Sequence, residues 1–116
     1  MSNFDEKLEI VLKACDAKQG VDIKTLDIRE LTTICDAFVV VSGNSTLQVK
    51  AIADEIEDKM DKAGYEKENR DGYQSSRWVL LDYGDIIVHI FHKEERGFYN
   101  IERLWNEERK GDANNE

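Results

Sequence analysis

Phe4, Leu8, Val11, Leu12 and Cys15 recur at spacings of three and four, the stripe that one face of an α-helix presents. The pattern predicts a helix from Asn3, with Asn3 and Glu6 placed to cap its start and Gly20 to end it. Val21 to Ile28 is rich in β-branched residues and alternates through Val21, Ile23 and Thr25 before Leu26 and Ile28 break the register, which predicts a strand with a bulge. Arg29 to Asp36 has no clear period and reads as a connection with room for a turn of helix. It leads into Ala37-Phe38-Val39-Val40-Val41-Ser42. That run is too short for a core helix and too continuous for a half-exposed strand, so it predicts a central strand buried on both faces.

After Gly43-Asn44-Ser45, the residues Val49, Ile52, Ile56 and Met60 return to helical spacing, with Ser45 and Gln48 forming an S-x-x-Q capping box and Gly64 as a stop. Tyr65 to Asn69 is predicted as a short third strand completing a β-α-β unit, and Arg70 to Ser76 as a polar loop. Arg77 to Asp82 and Asp85 to Phe91 then flank Tyr83-Gly84, two β-rich runs about a two-residue loop, the signature of a tight hairpin. Phe98, Ile101, Leu104 and Trp105 share a helical face that Gly111 would end. Trp105 is expected inside the core. The expected organisation is one domain over residues 1–110 and a polar tail over 111–116. The element order predicts an α/β fold: a mixed parallel and antiparallel sheet of about five strands flanked by helices.

Composition narrows the function. Charged residues make up 35% of the chain and hydrophobic ones 41%, so it folds around one modest core. The longest apolar run, Ala37 to Val41, is far short of the roughly 20 residues a membrane helix needs. Met1 to Glu6 shows neither a basic start with an apolar run nor an Arg-rich presequence, so the cytoplasm is the expected compartment. A net charge of −9 opposes tight nucleic-acid binding and suits a basic protein partner. Cys15 and Cys35 form no C-x-x-C pair and are expected reduced and buried.

The candidate chemistry is sparse. Gly43-Asn44-Ser45 precedes a helix start, where N–H groups can hold a phosphate, but the glycines match neither nucleotide fingerprint and capping accounts for Ser45. Asp82 and Asp85 bracket the hairpin turn; they suit a cation, an acid and base pair, ordinary solvated turn positions, or docking onto Lys or Arg of a partner. His89 and His92 are three apart on a strand and point to opposite faces, so they cannot share a metal. No catalytic residue, cofactor site or metal site is expected. Trp78, Tyr83, Phe98, Tyr99 and Trp105 are of the types that anchor protein interfaces, with ordinary core as the other reading; for Trp78, on a strand with apolar residues on both sides, the two readings stand level. Trp78, Leu80 and Asp82 alternate onto one side of their strand.

Four segments carry a resemblance: AFVVVSGNS (37–45), QVKAIADEI (48–56), WVLLDYGDIIVHIF (78–91) and RGFYNIERLW (96–105). In their order and spacing they closely resemble the ribosomal silencing factor family, also called Iojap-like. Departures are small, among them Asp71-Gly72 where the family often has Glu-Gly. The resemblance implies a nucleotidyltransferase-like fold without the catalytic acids. It also implies a homodimer when free, and a factor that binds the large ribosomal subunit through ribosomal protein L-fourteen. By blocking the small subunit from joining, such a factor slows translation when nutrients are short. Within that motif the expected docking residues are Trp78 and Leu80 as apolar anchors, Asp82 and Asp85 as charge partners, and Tyr83 at the turn.

Two other readings compete. One is a Mg²⁺-dependent nucleotidyltransferase, which resembles a Gly-Ser pair followed by two strand carboxylates one residue apart. Here Asn44 separates Gly43 from Ser45, and Asp82 and Asp85 have the wrong spacing. The other is a dimeric adaptor for a non-ribosomal protein.

Overall fold

The computed structural model of the chain describes residues 3–30, 33 and 35–94. The elements are α1 (Asn3–Ala17), β1 (Val21–Asp27), β2 (Ala37–Gly43), α2 (Thr46–Lys62), β3 (Asn69–Asp71), β4 (Trp78–Asp82) and β5 (Ile86–His92). The five strands form one mixed sheet in the order β1-β2-β5-β4-β3. Only β2 and β5 run parallel; β1 on β2, β4 on β5 and β3 on β4 are antiparallel. The terminal helix and tail expected beyond residue 94, including Phe98 and Trp105, lie outside the described residues.

The apolar run 37–41 becomes the central strand β2, whose burial is nearly complete, as its lack of alternation predicts. One face of the sheet supplies Val39, Val41, Val79, Leu81, Tyr83, Ile86, Val88 and Ile90. These pack with Val11, Ala14 and Cys15 of α1 and Val49, Ile52, Ala53, Ile56 and Met60 of α2 in a single core. The stripe read from the sequence faces this core in each helix, fully buried in α2 and, in α1, with Phe4, Leu8 and Leu12 partly buried at its edge. Both described helices lie on this face. Cys15 and Cys35 are free and buried, and burial pushes the Cys15 thiol up to about 12.

Ser45 caps α2, its Oγ accepting the Gln48 N–H at 3.1 Å. The return half of the box shifts by one residue, because Gln48 Oε1 accepts the N–H of Asn44 at 2.6 Å while its amide nitrogen donates to the carbonyls of Lys18 and Gln19 at the end of α1. The cap thus also ties the two helices together. Ser45→Ala is expected to cost about 1 kcal/mol in a denaturant titration. At the other end, the Gly64 and Tyr65 N–H groups reach the carbonyls of Asp61 and Met60, closing α2 in a Schellman motif. Acid-before-base pairs four apart, Glu55 with Lys59 and Asp58 with Lys62, line its outer surface.

Two local expectations change and one holds. Gly20 is not the left-handed residue after α1; Gln19 takes that conformation, with φ of 60°. Gly20 is glycine because a Cβ there would lie 2.5 Å from Val41 Cγ2. The bulge in β1 is present, between Val21 and Lys24. The third strand is not Tyr65 to Asn69, nor does it complete a β-α-β unit beside β2. Tyr65 turns back to donate its hydroxyl to Glu6 of α1, and the exposed Glu66-Lys67-Glu68 runs on to β3, a three-residue edge strand against β4. The parallel partner of β2 is β5, a full hairpin later in the chain.

Candidate docking face

Hairpin register decides which side chains point where. Asp82 pairs with Ile87, and the Tyr83 N–H donates to the Ile86 carbonyl at 2.9 Å, so the two-residue loop is Gly84-Asp85 rather than Tyr83-Gly84. Gly84 takes φ of 91°, the conformation such a loop gives to glycine. A shift of one residue moves a side chain to the other side of the sheet. Tyr83 accordingly sits in the helix-side core, 3% exposed, and burial pushes its phenol up beyond the ordinary range.

The opposite face carries Trp78, Leu80 and Asp82, all half-buried, on β4. Their cross-strand neighbours Phe91, His89 and Ile87 come from β5, and Phe38 from β2 lies beside His89. The structure therefore brings together three of the five residues expected at the docking site and turns Tyr83 and Asp85 away from them. Asp82 Oδ1 accepts the Gly84 N–H at 2.8 Å, pinning the loop from the Trp78 and Leu80 side of the sheet. Asp85 instead pairs within the chain, its Oδ1 lying 3.1 Å from Lys7 Nζ, with both side chains mostly buried. Lys7 also donates to the Tyr83 carbonyl at 3.3 Å and lies over the Tyr65 ring. This knot fastens the start of α1 to the hairpin turn. Lys7→Met is expected to cost about 1 kcal/mol of folding stability, read by urea unfolding.

Sequence reasoning weighed His89 only as a metal ligand, yet it is the polar centre of this face. Its side chain is 5% exposed, and its Nδ1 accepts the Trp78 indole N–H at 3.1 Å. An indole nitrogen only donates, so the neutral imidazole carries its own proton on Nε2. That Nε2 is buried with no hydrogen-bond partner among the described residues. A buried unpaired donor costs about 1 to 3 kcal/mol. Aromatic rings enclose the imidazole: Phe38 edge-on at 4.6 Å, Trp78 at 5.9 Å and Phe91 stacked at 6.2 Å between centroids. Trp78 in turn stacks on Phe91 at 5.0 Å. Desolvation alone holds His89 down at about 4. The signal that could have revealed this cluster is the hairpin register, which places Leu80 opposite His89 and Trp78 opposite Phe91.

The arrangement offers an apolar row ending in a carboxylate, and no group of three or more His, Cys, Asp or Glu among the described residues could hold a metal ion. His92 Nδ1 accepts the Glu94 N–H, and no described strand carries two carboxylates one residue apart. Among the described residues no helix is long and apolar enough to cross a membrane.

The chain is similar to known proteins along nearly all of its length. It matches the family described as "Ribosomal silencing factor during starvation" over residues 1–116. It is 46% identical over 98 residues to the ribosomal silencing factor of Bacillus subtilis (strain 168), covering 84% of this chain and 83% of that one. The silencing factor of Halalkalibacterium halodurans is 42% identical over 105 residues, covering 90% and 89%. A crystal structure of a Chromobacterium violaceum protein superposes with a TM-score of 0.86 at 35% identity, covering 88% of this chain and 85% of that one. With the helix-backed mixed sheet and the hairpin motif in place, these likenesses show that the chain belongs to the ribosomal silencing factor family.

Proposed function

We propose that this protein represses translation in the cytoplasm by docking on the large ribosomal subunit through ribosomal protein L-fourteen, where its bulk prevents the small subunit from joining when nutrients are limiting. The observation that carries the reading is the row Trp78, Leu80 and Asp82 on the sheet face opposite the two helices. Half-buried Trp and Leu beside a carboxylate are the parts of an interface that buries apolar anchors and meets Lys or Arg at its edge. A net charge of −9 favours a basic ribosomal protein over bare RNA as the main contact. Family membership supplies the ribosome as the setting.

The free protein is a homodimer in this reading, and the dimer separates or rearranges if the same face meets the ribosome. The direct test of the partner is binding to purified L-fourteen. Saturable binding is expected, with Asp82→Lys weakening it about tenfold and raised salt weakening the wild type. Absence of binding at concentrations that saturate the large subunit would rule out L-fourteen as the contact.

A further inference from the structure

His89 is an expensive residue for its place in the fold. The position lies among Phe38, Trp78 and Phe91, where an apolar ring would pack without burying an unpaired Nε2–H of its own and would lose only the acceptor for the Trp78 indole N–H. Packing therefore does not account for an imidazole. What the imidazole alone supplies is Nδ1, which takes the Trp78 indole N–H at 3.1 Å. That bond fixes the indole in two ways. It draws the nitrogen edge toward β5, and with the 5.0 Å stack on Phe91 it sets the plane of the ring. It also satisfies the only polar atom of the Trp78 side chain inside the protein, so a partner need offer it no acceptor.

We infer that His89 is the positioning residue of the docking face, holding Trp78 through Nδ1 in the orientation that an apolar pocket on the partner receives. This rests on the docking reading above and adds to it a residue that acts through Trp78. A preset anchor binds more tightly because less side-chain freedom is lost on association.

The test uses the full chain and isolated large ribosomal subunits. His89→Phe keeps a ring and removes the acceptor; His89→Asn keeps an acceptor, because Oδ1 branches from Cγ as Nδ1 does. Thermal melts establish that each variant is folded. His89→Phe is expected to weaken binding about tenfold, His89→Asn to recover most of that loss, and His89→Phe in a Trp78→Phe background to cost almost nothing further, since the indole N–H is already gone. Hydrogen exchange of the Trp78 indole N–H, followed by NMR on the free protein, is expected to quicken at least about tenfold in His89→Phe. Wild type that binds beside a His89→Phe variant that binds equally overturns this inference alone. So does an equal loss in both backgrounds. Wild type that fails to bind the large subunit overturns the docking reading and takes the inference with it.

Discussion

Lowering the pH from 7 to 4 is expected to remove about 3 kcal/mol of folding stability through His89 alone. Burial holds this histidine down at about 4 in the fold, against an ordinary value of 6.5. As the pH falls below 6.5 the unfolded chain binds the proton first, and the folded chain, with its imidazole enclosed by Phe38, Trp78 and Phe91, does not. Each pH unit between the two values favours unfolding by about 1.4 kcal/mol. The contribution is complete above pH 6.5, declines through the interval, and is fully lost below about 4, where both states are protonated. Protonation also turns Nδ1 into a donor facing the Trp78 N–H, so acid breaks that bond as well. Urea titrations of wild type and His89→Asn between pH 7 and 4 isolate the effect. The difference between them is expected to shrink or reverse as the pH falls; a difference that stays constant would mean that His89 is not held neutral by burial.

Trp78→Ala is expected to weaken binding to the large subunit by roughly 30-fold or more, equivalent to about 2 kcal/mol. The indole is the largest side chain of the row proposed to dock, Trp78, Leu80 and Asp82. It is half-buried before any partner arrives, and is held by the Phe91 stack and the His89 bond. Rigid, half-covered aromatics of this kind lose little freedom on binding and bury much area. Truncation also uncovers Phe91, so some loss of stability accompanies the loss of affinity. A melting curve separates the two, and Trp78→Phe, which keeps a ring for the stack, is expected to lose less of both. A folded Trp78→Ala protein that binds as wild type does would remove Trp78 from the interface; an unfolded one would place it in the core.

Much of this fold is written in local periodicity. The three-four spacing of α1 and α2, the Ser45 cap, the unbroken run of β2 and the paired β-rich segments of the hairpin each depend on residues close in sequence, and each stands where the pattern places it. What the pattern misplaced depends on distant partners. β3 forms because β4 offers an edge, and its Asn69-Arg70-Asp71 has no strand signature of its own. Tyr83 looked like a turn residue because Tyr-Gly reads as a loop, whereas the ladder ends one residue later and turns the ring inward. Asp85 resembled a free charge until Lys7, 78 positions earlier, took it. His89 became legible only with the register in hand, because its importance lies in the residue diagonally across the hairpin.

The most direct measurement of the central claim is subunit joining. Separated small and large subunits are mixed at associating Mg²⁺ with saturating protein, and the gradient is probed for joined ribosomes and for the protein. The protein is expected to travel with the large subunit alone while joined ribosomes disappear, with the Trp78→Ala variant restoring them. Undiminished joining, with the protein left at the top of the gradient, would contradict the account.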